Sequence, residues 1–293
     1  ERTTNVFREY PMWQTAKKYR WNLSAVILVM GFCTNARGEG LPSQAAGGSL
    51  HPLVSTIQFA QTRQSYIREH VRSYSCQLVK RERIGGRMQA YQYADVMVQC
   101  SRQQDGESVQ PMSVLMKFLG PAKMKGRIVL YTEGMNDDLA SVRMGGIGLF
   151  KNVELQIDPY GDAAKRESRY PVTQIGFDQI MQRLIDHAND DLRADPEGRN
   201  TTVRYFRNAK LKDRTCTHIQ VVHPQRSDSL SFHKASLYVD DELKVPVRVV
   251  VYDWPATGDS EPTLIEEYNY LNLQLNVTLP DDVFEKTKYF NEK

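Results

Sequence analysis

Residues 237–254 read LYVDDELKVPVRVVVYDW, two runs of β-branched and aromatic residues around a short acidic turn. Alternate residues of a strand point to opposite faces. Val245, Val247, Val249 and Val251 therefore share one side, and Pro246, Arg248, Val250, Tyr252 and Trp254 share the other. A sheet with one face in water alternates apolar with polar. Neither face here is plainly wet, so both need a cover.

The same texture extends in both directions. Residues 202–206, 216–222, 230–239 and 266–277 read as strands around this stretch, and 74–84, 87–99, 113–119, 126–131 and 153–157 precede them, separated by Gly, Pro, Asn and Asp clusters. Gly85-Gly86 suits a two-residue hairpin turn, which would set Cys76 opposite Asp95. In the last strand Asn269, Leu271, Leu273, Leu275 and Val277 share one face by strict alternation, opposite Tyr268, Tyr270, Asn272, Gln274 and Asn276. Strands that follow one another without intervening helices form a meander rather than βαβ units.

Two helices interrupt it. Pro52 opens the first, with Leu53, Ile57, Ala60, Ile67 and Val71 at helical spacing. Thr173 is a candidate cap for the second, whose stripe is Phe177, Ile180, Met181, Leu184, Ile185, Ala188 and Leu192, ending at Asp195-Pro196. Twist accumulates from strand to strand, so a sheet of about ten strands curls. The expected fold class is α+β: one large curled antiparallel sheet, an incomplete β-barrel, with two main helices packed on its concave side.

Upstream, Lys17, Lys18 and Arg20 precede an uncharged run of eleven residues from Leu23 to Cys33, with small Thr34 and Ala36 beyond. This is the pattern of a secretory signal, and the run is shorter than the roughly 20 residues a spanning helix needs. A lipobox ending at Cys33 is disfavoured by Phe32, where a small residue is required. Residues 1–36 are thus expected to be a signal peptide, 37–49 a flexible Gly/Ser/Ala-rich tether, and 50–293 a single domain in the periplasm or cell envelope. The leader holds five of the 38 basic and two of the 35 acidic residues, leaving 33 of each. A formally neutral chain lacks the basic excess of a nucleic-acid binder. Cys76, Cys100 and Cys216 read as small buried hydrophobes.

Signals for chemistry are weak. The Gly-x-Ser-x-Gly elbow of a serine hydrolase is absent, and Gly145-Gly-Ile-Gly148 reads as a turn or bulge. The best metal set, Cys216, His218, His223 and His233, lacks a tight ligand pair, so no metal or cofactor is expected. The run Lys80-Arg-Glu-Arg83 reads as a solvated sheet edge. Glu82 and Asp95 approach each other across the proposed hairpin, but no nucleophile or supporting histidine accompanies them, and no catalytic residue is assigned.

Leu237-Tyr-Val-Asp240, Val245-Pro-Val-Arg248 and Glu267-Tyr-Asn-Tyr-Leu-Asn-Leu273, with Lys80-Arg-Glu82 before a glycine turn and Asp158-Pro159 followed by Ser168-Arg-Tyr-Pro171, form a recurring series. In it the chain resembles the outer-membrane lipoprotein carrier superfamily, and more closely an uncharacterised secreted bacterial family of that fold. The resemblance covers about residues 50–290. It implies a half-barrel whose apolar concave side shelters lipid acyl chains or a lipidated protein, with no enzymatic activity and with peripheral membrane contact allowed. Val114, Met116, Phe118, Ile128, Leu130, Val247, Val249, Val251, Leu271 and Leu273 are the candidates for lining or core, and Arg248, Tyr268 and Tyr270 for a polar rim. The alternative is an envelope-stress sensor or scaffold of the same fold that binds a protein partner.

Overall fold

The computed structural model describes residues 50–104, 107–256 and 261–290. The expected signal peptide and tether lie outside the described residues. Fourteen strands are described: β1 (Ser73–Ile84), β2 (Arg87–Met88), β3 (Gln92–Gln99), β4 (Arg102–Gln104), β5 (Glu107–Gln110), β6 (Ser113–Gly120), β7 (Ile128–Thr132), β8 (Ala140–Arg143), β9 (Glu154–Ile157), β10 (Thr202–Leu211), β11 (Arg214–Val222), β12 (Lys234–Asp240), β13 (Pro246–Asp253) and β14 (Thr263–Leu275). The helices are α1 (Leu53–His70), the one-turn α2 (Asp162–Lys165) and α3 (Phe177–Ala194).

Twelve strands form one antiparallel sheet in the order β10-β11-β12-β13-β14-β1-β3-β6-β7-β8-β9, with β2 capping β1, and it does not close into a barrel. β4 and β5 make a separate hairpin. The first and last long strands meet at the centre, where Val79 faces Asn269. Helices α1 and α3 lie on the concave face. Ile67, Phe177, Ile180, Met181 and Ile185 pack there against Tyr74, Leu78, Val96, Val98 and Val114 of the sheet. Aromatic contacts continue the seam, with Tyr74 and Phe177 at 4.5 Å and Phe177 and Tyr270 at 5.1 Å between ring centroids. Gln64 ties the helices together by donating to Gln182 Oε1 at 2.8 Å.

Two register details depart from simple alternation. The Gly85-Gly86 turn does pair Ile84 with Arg87, but one extra residue enters between Gln89 and Gln92, and the ladder resumes with Cys76 opposite Val96, not Asp95. In β14 a bulge with Asn272 at φ 52° shifts the phase. Leu273 and Leu275 consequently pack on the inner core beside Tyr268 and Tyr270, while Leu271, opposite Gln77, stays on the outer side. Bulges reverse the facing of everything beyond them. Thr173 does not cap α3; it sits in a single 3-10 turn, Val172–Gln174, and Gly176 occupies the cap position.

The outer face of β3, β6 and β7 is also apolar, and the chain covers it itself. Met97, Leu115, Ile128 and Leu130 are buried beneath Val283, Tyr289 and Phe290 of the C-terminal segment. Double apolar faces in this half of the sheet therefore mark two covers, helices inside and tail outside. Ile128 and Leu130 belong to the outer one.

Candidate functional site

Between the concave face and the helices the packing is incomplete. The larger cavity, about 410 Å³, lies against β6 to β9 and is walled by Met116, Phe118, Val129, Val142 and Ile157 from the sheet and by Val172 and Ile175 from the crossover before α3. Its mouth runs past exposed Ala163 and Glu167. A smaller cavity of about 150 Å³ lies between the helices and β11 to β14, against Ile57, Leu184, Leu237, Val249 and Val251. Tyr170, Arg183, Tyr268 and Tyr270 line both, so they form the partition.

The partition is a buried polar network. Lys80 and Glu82 follow Cys76 and Leu78 at intervals of two, so the strand turns them inward. Lys80 and Glu82 are 7% and 1% exposed, which corrects the expectation of a solvated edge. Lys80 Nζ donates to Glu82 Oε2 at 2.8 Å and to Ser168 Oγ at 2.7 Å. Glu82 Oε1 accepts from the Arg169 N–H at 3.2 Å and from the Tyr268 hydroxyl. Opposite it in the ladder stands Glu266, which accepts from Arg169 Nε at 2.7 Å and from Tyr170 Oη at 2.9 Å. The Arg183 guanidinium stacks on Tyr170 at 4.0 Å.

Environment separates the two carboxyls. Burial works to raise Glu82, but the Lys80 charge and the bonds from Lys80, Tyr268 and Arg169 outweigh it and hold the group below the usual carboxylate range. At Glu266 burial prevails over Arg169 and Tyr170, and the carboxyl is raised. Burial also lifts the Tyr268 phenol well above its ordinary value, with neighbouring Glu82 adding to the rise.

The sequence candidates divide among several places. Met116 and Phe118 wall the larger cavity, Val249 and Val251 the smaller. Val114 is fully buried in the inner core, Val247 is buried at the β12–β13 bulge, and Leu273 packs at the core margin. Ile128 and Leu130 lie under the tail. Tyr268 and Tyr270 are central rather than marginal. Arg248 is on the outer side, paired with Glu267 at 2.9 Å, beside Asn269 and Leu271. For the site, Glu82 enters the sequence reading only as a carboxylate beside Asp95, and Ser168, Arg169, Tyr170 and Glu266 only through the motifs that carry the resemblance, which contain or flank them.

Other candidates resolve into structure. Glu82 and Asp95 do not meet, since Asp95 pairs in the ladder with Lys117, whose amine lies 4.7 Å from the Tyr289 ring on the outer face. Among the described residues no group of three His, Cys, Asp or Glu could hold a metal ion. His223 is wholly buried, its Nε2 3.2 Å from Asp191 Oδ2 and its Nδ1 3.1 Å from the Asn200 carbonyl. That pair fastens the end of α3 to the sheet. Cys76, Cys100 and Cys216 are free thiols, and burial raises all three, Cys100 and Cys216 to about 12.

Beside the larger cavity a loop leaves β8 just after Met144. Gly146 N donates to the Lys125 carbonyl at 2.8 Å. A Cβ on Gly145 would stand 2.2 Å from Arg127 N, and one on Gly146 would stand 2.4 Å from the Lys123 carbonyl, so the approach requires glycine. The pinned loop presents Ile147, Leu149 and Phe150 at 88%, 96% and 75% exposure, with exposed Lys123, Lys125 and Lys151 around them.

The pattern of the family described as a protein of unknown function (DUF1571) matches residues 71–289. No curated protein matches the chain. Among solved structures it is similar to a DUF1329 family protein from Desulfovibrio piger, at 13% identity over 82% of this chain and 99% of that one, with a TM-score of 0.37. It is also similar to a LolA superfamily protein from Nitrosomonas europaea, at 14% identity over 78% and 98% of the two chains, with a TM-score of 0.31. The MucA/MucB complex of Pseudomonas aeruginosa matches at 14% identity over 80% of this chain and 62% of that one, with a TM-score of 0.43.

Proposed function

The chain belongs to the DUF1571 family of proteins of unknown function, and from that premise we propose that it is an exported, non-enzymatic binding protein that shelters an acyl chain of a lipid or lipidated protein. The observation that carries this reading is the larger cavity. At about 410 Å³ it falls in the range of about 300–1,000 Å³ typical of ligand pockets, and its walls are mostly aliphatic and aromatic. Ten methylenes buried at about 0.8 kcal/mol each yield about 8 kcal/mol, against an association cost of several kcal/mol. A single chain would therefore be held loosely enough to be handed on. The leader pattern over residues 16–36 supports export to the periplasm or envelope.

The pinned loop with Ile147, Leu149 and Phe150 and its lysine collar suits peripheral contact with an anionic bilayer, apolar tips entering and cations meeting head groups. It would bring the cavity mouth to the lipid.

Titration of a fluorescent fatty-acyl probe tests the reading. Wild type is expected to bind saturably, and Val142→Trp, which fills the larger cavity, to lose binding while remaining folded. Absence of saturable binding by wild type, together with no co-purifying lipid in native mass spectrometry, would overturn it. Capture of one protein partner after delipidation would favour the scaffold alternative.

A further inference from the structure

Arg183, half-buried and stacked on Tyr170 at 4.0 Å, is the cation of the partition that lacks a carboxylate. The other charged groups at the partition pair off, Lys80 with Glu82 at 2.8 Å and Arg169 with Glu266 at 2.7 Å. Arg183 forms no ion pair among the described residues. Its hydrogen bonds leave from Nη1 alone, to the Gln174 carbonyl at 2.9 Å and the Gln174 side-chain oxygen at 3.4 Å. A guanidinium has five N–H donors in a fixed fork and does not give up its charge. Tyr270 shares the same wall, and its hydroxyl has no hydrogen-bond partner among the described residues.

A cation bordering two apolar cavities is costly unless an anion meets it. Since both cavities open onto Arg183, that anion would sit at the dividing wall with apolar space on either side. We propose that Arg183, with the Tyr270 hydroxyl, receives the anionic head group of a single-chain amphiphile, a carboxylate or phosphate, whose alkyl tail occupies the larger cavity. The guanidinium fork suits two-point contact with either oxyanion. This rests on the acyl-binding reading above and adds the class of head group to it.

Calorimetric titration with decanoate and with decanol, which share a tail and differ in charge, separates the two ideas. Wild type is expected to bind decanoate about tenfold or more tightly than decanol, as a charge-assisted hydrogen bond contributes. Arg183→Gln is expected to erase that preference while decanol still binds saturably, which also shows that the variant is folded. Tyr270→Phe is expected to weaken decanoate severalfold more than decanol, and it carries the test should Arg183→Gln not fold. Equal affinity of wild type for the two ligands, or a preference that survives Arg183→Gln, would overturn the head-group assignment and leave acyl binding standing. Binding of neither ligand by wild type would remove the acyl-binding reading and this inference with it. Decyl phosphate bound in preference to decanoate would identify a phosphate ester rather than a fatty acid, either of which is the anionic head proposed.

Discussion

Glu82 and Glu266 are cross-strand partners in the concave interior, both almost fully buried, and their carboxyls are driven in opposite directions. Like charges directly opposite in a ladder destabilise it. The fold relieves the clash by giving Glu82 the Lys80 amine and leaving Glu266 the more readily protonated of the two.

From that asymmetry, Glu82→Gln and Glu266→Gln should differ. Removing the Glu82 charge leaves Lys80 buried without its counter-ion and is expected to cost about 3–5 kcal/mol. Glu266→Gln leaves Arg169, whose side chain is partly open to solvent, without its carboxylate partner and is expected to cost less, about 1–2 kcal/mol. Urea unfolding midpoints of the two variants, measured side by side, check the ordering.

A second expectation concerns acid. His218 lies between the Phe206 and Tyr238 rings, at 4.9 and 4.1 Å. Burial, with Arg248 nearby, lowers it from 6.5 to about 4. A folded-state value below the unfolded one means stability that is present above pH 6.5 and lost as pH falls toward 4. Each unit corresponds to about 1.4 kcal/mol. His218→Gln should therefore flatten the fall in unfolding free energy between pH 6.5 and 4, and a profile as steep as wild type would count against this account.

Placement on opposite faces separates stability from binding. Leu130→Ala, under the C-terminal segment, is expected to cost about 2–5 kcal/mol and to leave acyl-probe affinity unchanged. Phe118→Ala, on the cavity wall, should change probe affinity as well as stability. Truncation after Thr278 should expose the outer cluster, seen as increased binding of an apolar dye and as self-association.

The exposed loop makes a prediction of its own. Replacing Ile147, Leu149 and Phe150 with serine is expected to reduce sedimentation with vesicles containing anionic lipid, with the unfolding midpoint unchanged, because these side chains contribute little to the folded core. Retained sedimentation would argue against bilayer contact at this loop.

Much of the architecture was legible in the sequence because period-two alternation and two apolar helical stripes are direct imprints of burial. The same alternation, carried on from Cys76 and Leu78 to Lys80 and Glu82, points the charged pair inward. The charge of those residues argued for solvent, and only their cross-chain partners at 168–170 and 266–268 make burial affordable. Face assignments failed where a single residue changes phase, at Gln89 to Gln92 and at Asn272. Nothing in the apolar character of Ile128 or Leu130 distinguishes a side covered by helices from one covered by the chain's own tail.

The pairing of β1 with β14 also governs when this protein can assemble. A polypeptide emerging N-terminus first holds β1 without one of its two neighbours until β14 is available, and contacts so distant in sequence form slowly. The interval during which the sheet stays open at β1, and the chain can be threaded onward or bound by a chaperone, is thus set by the arrival of β14.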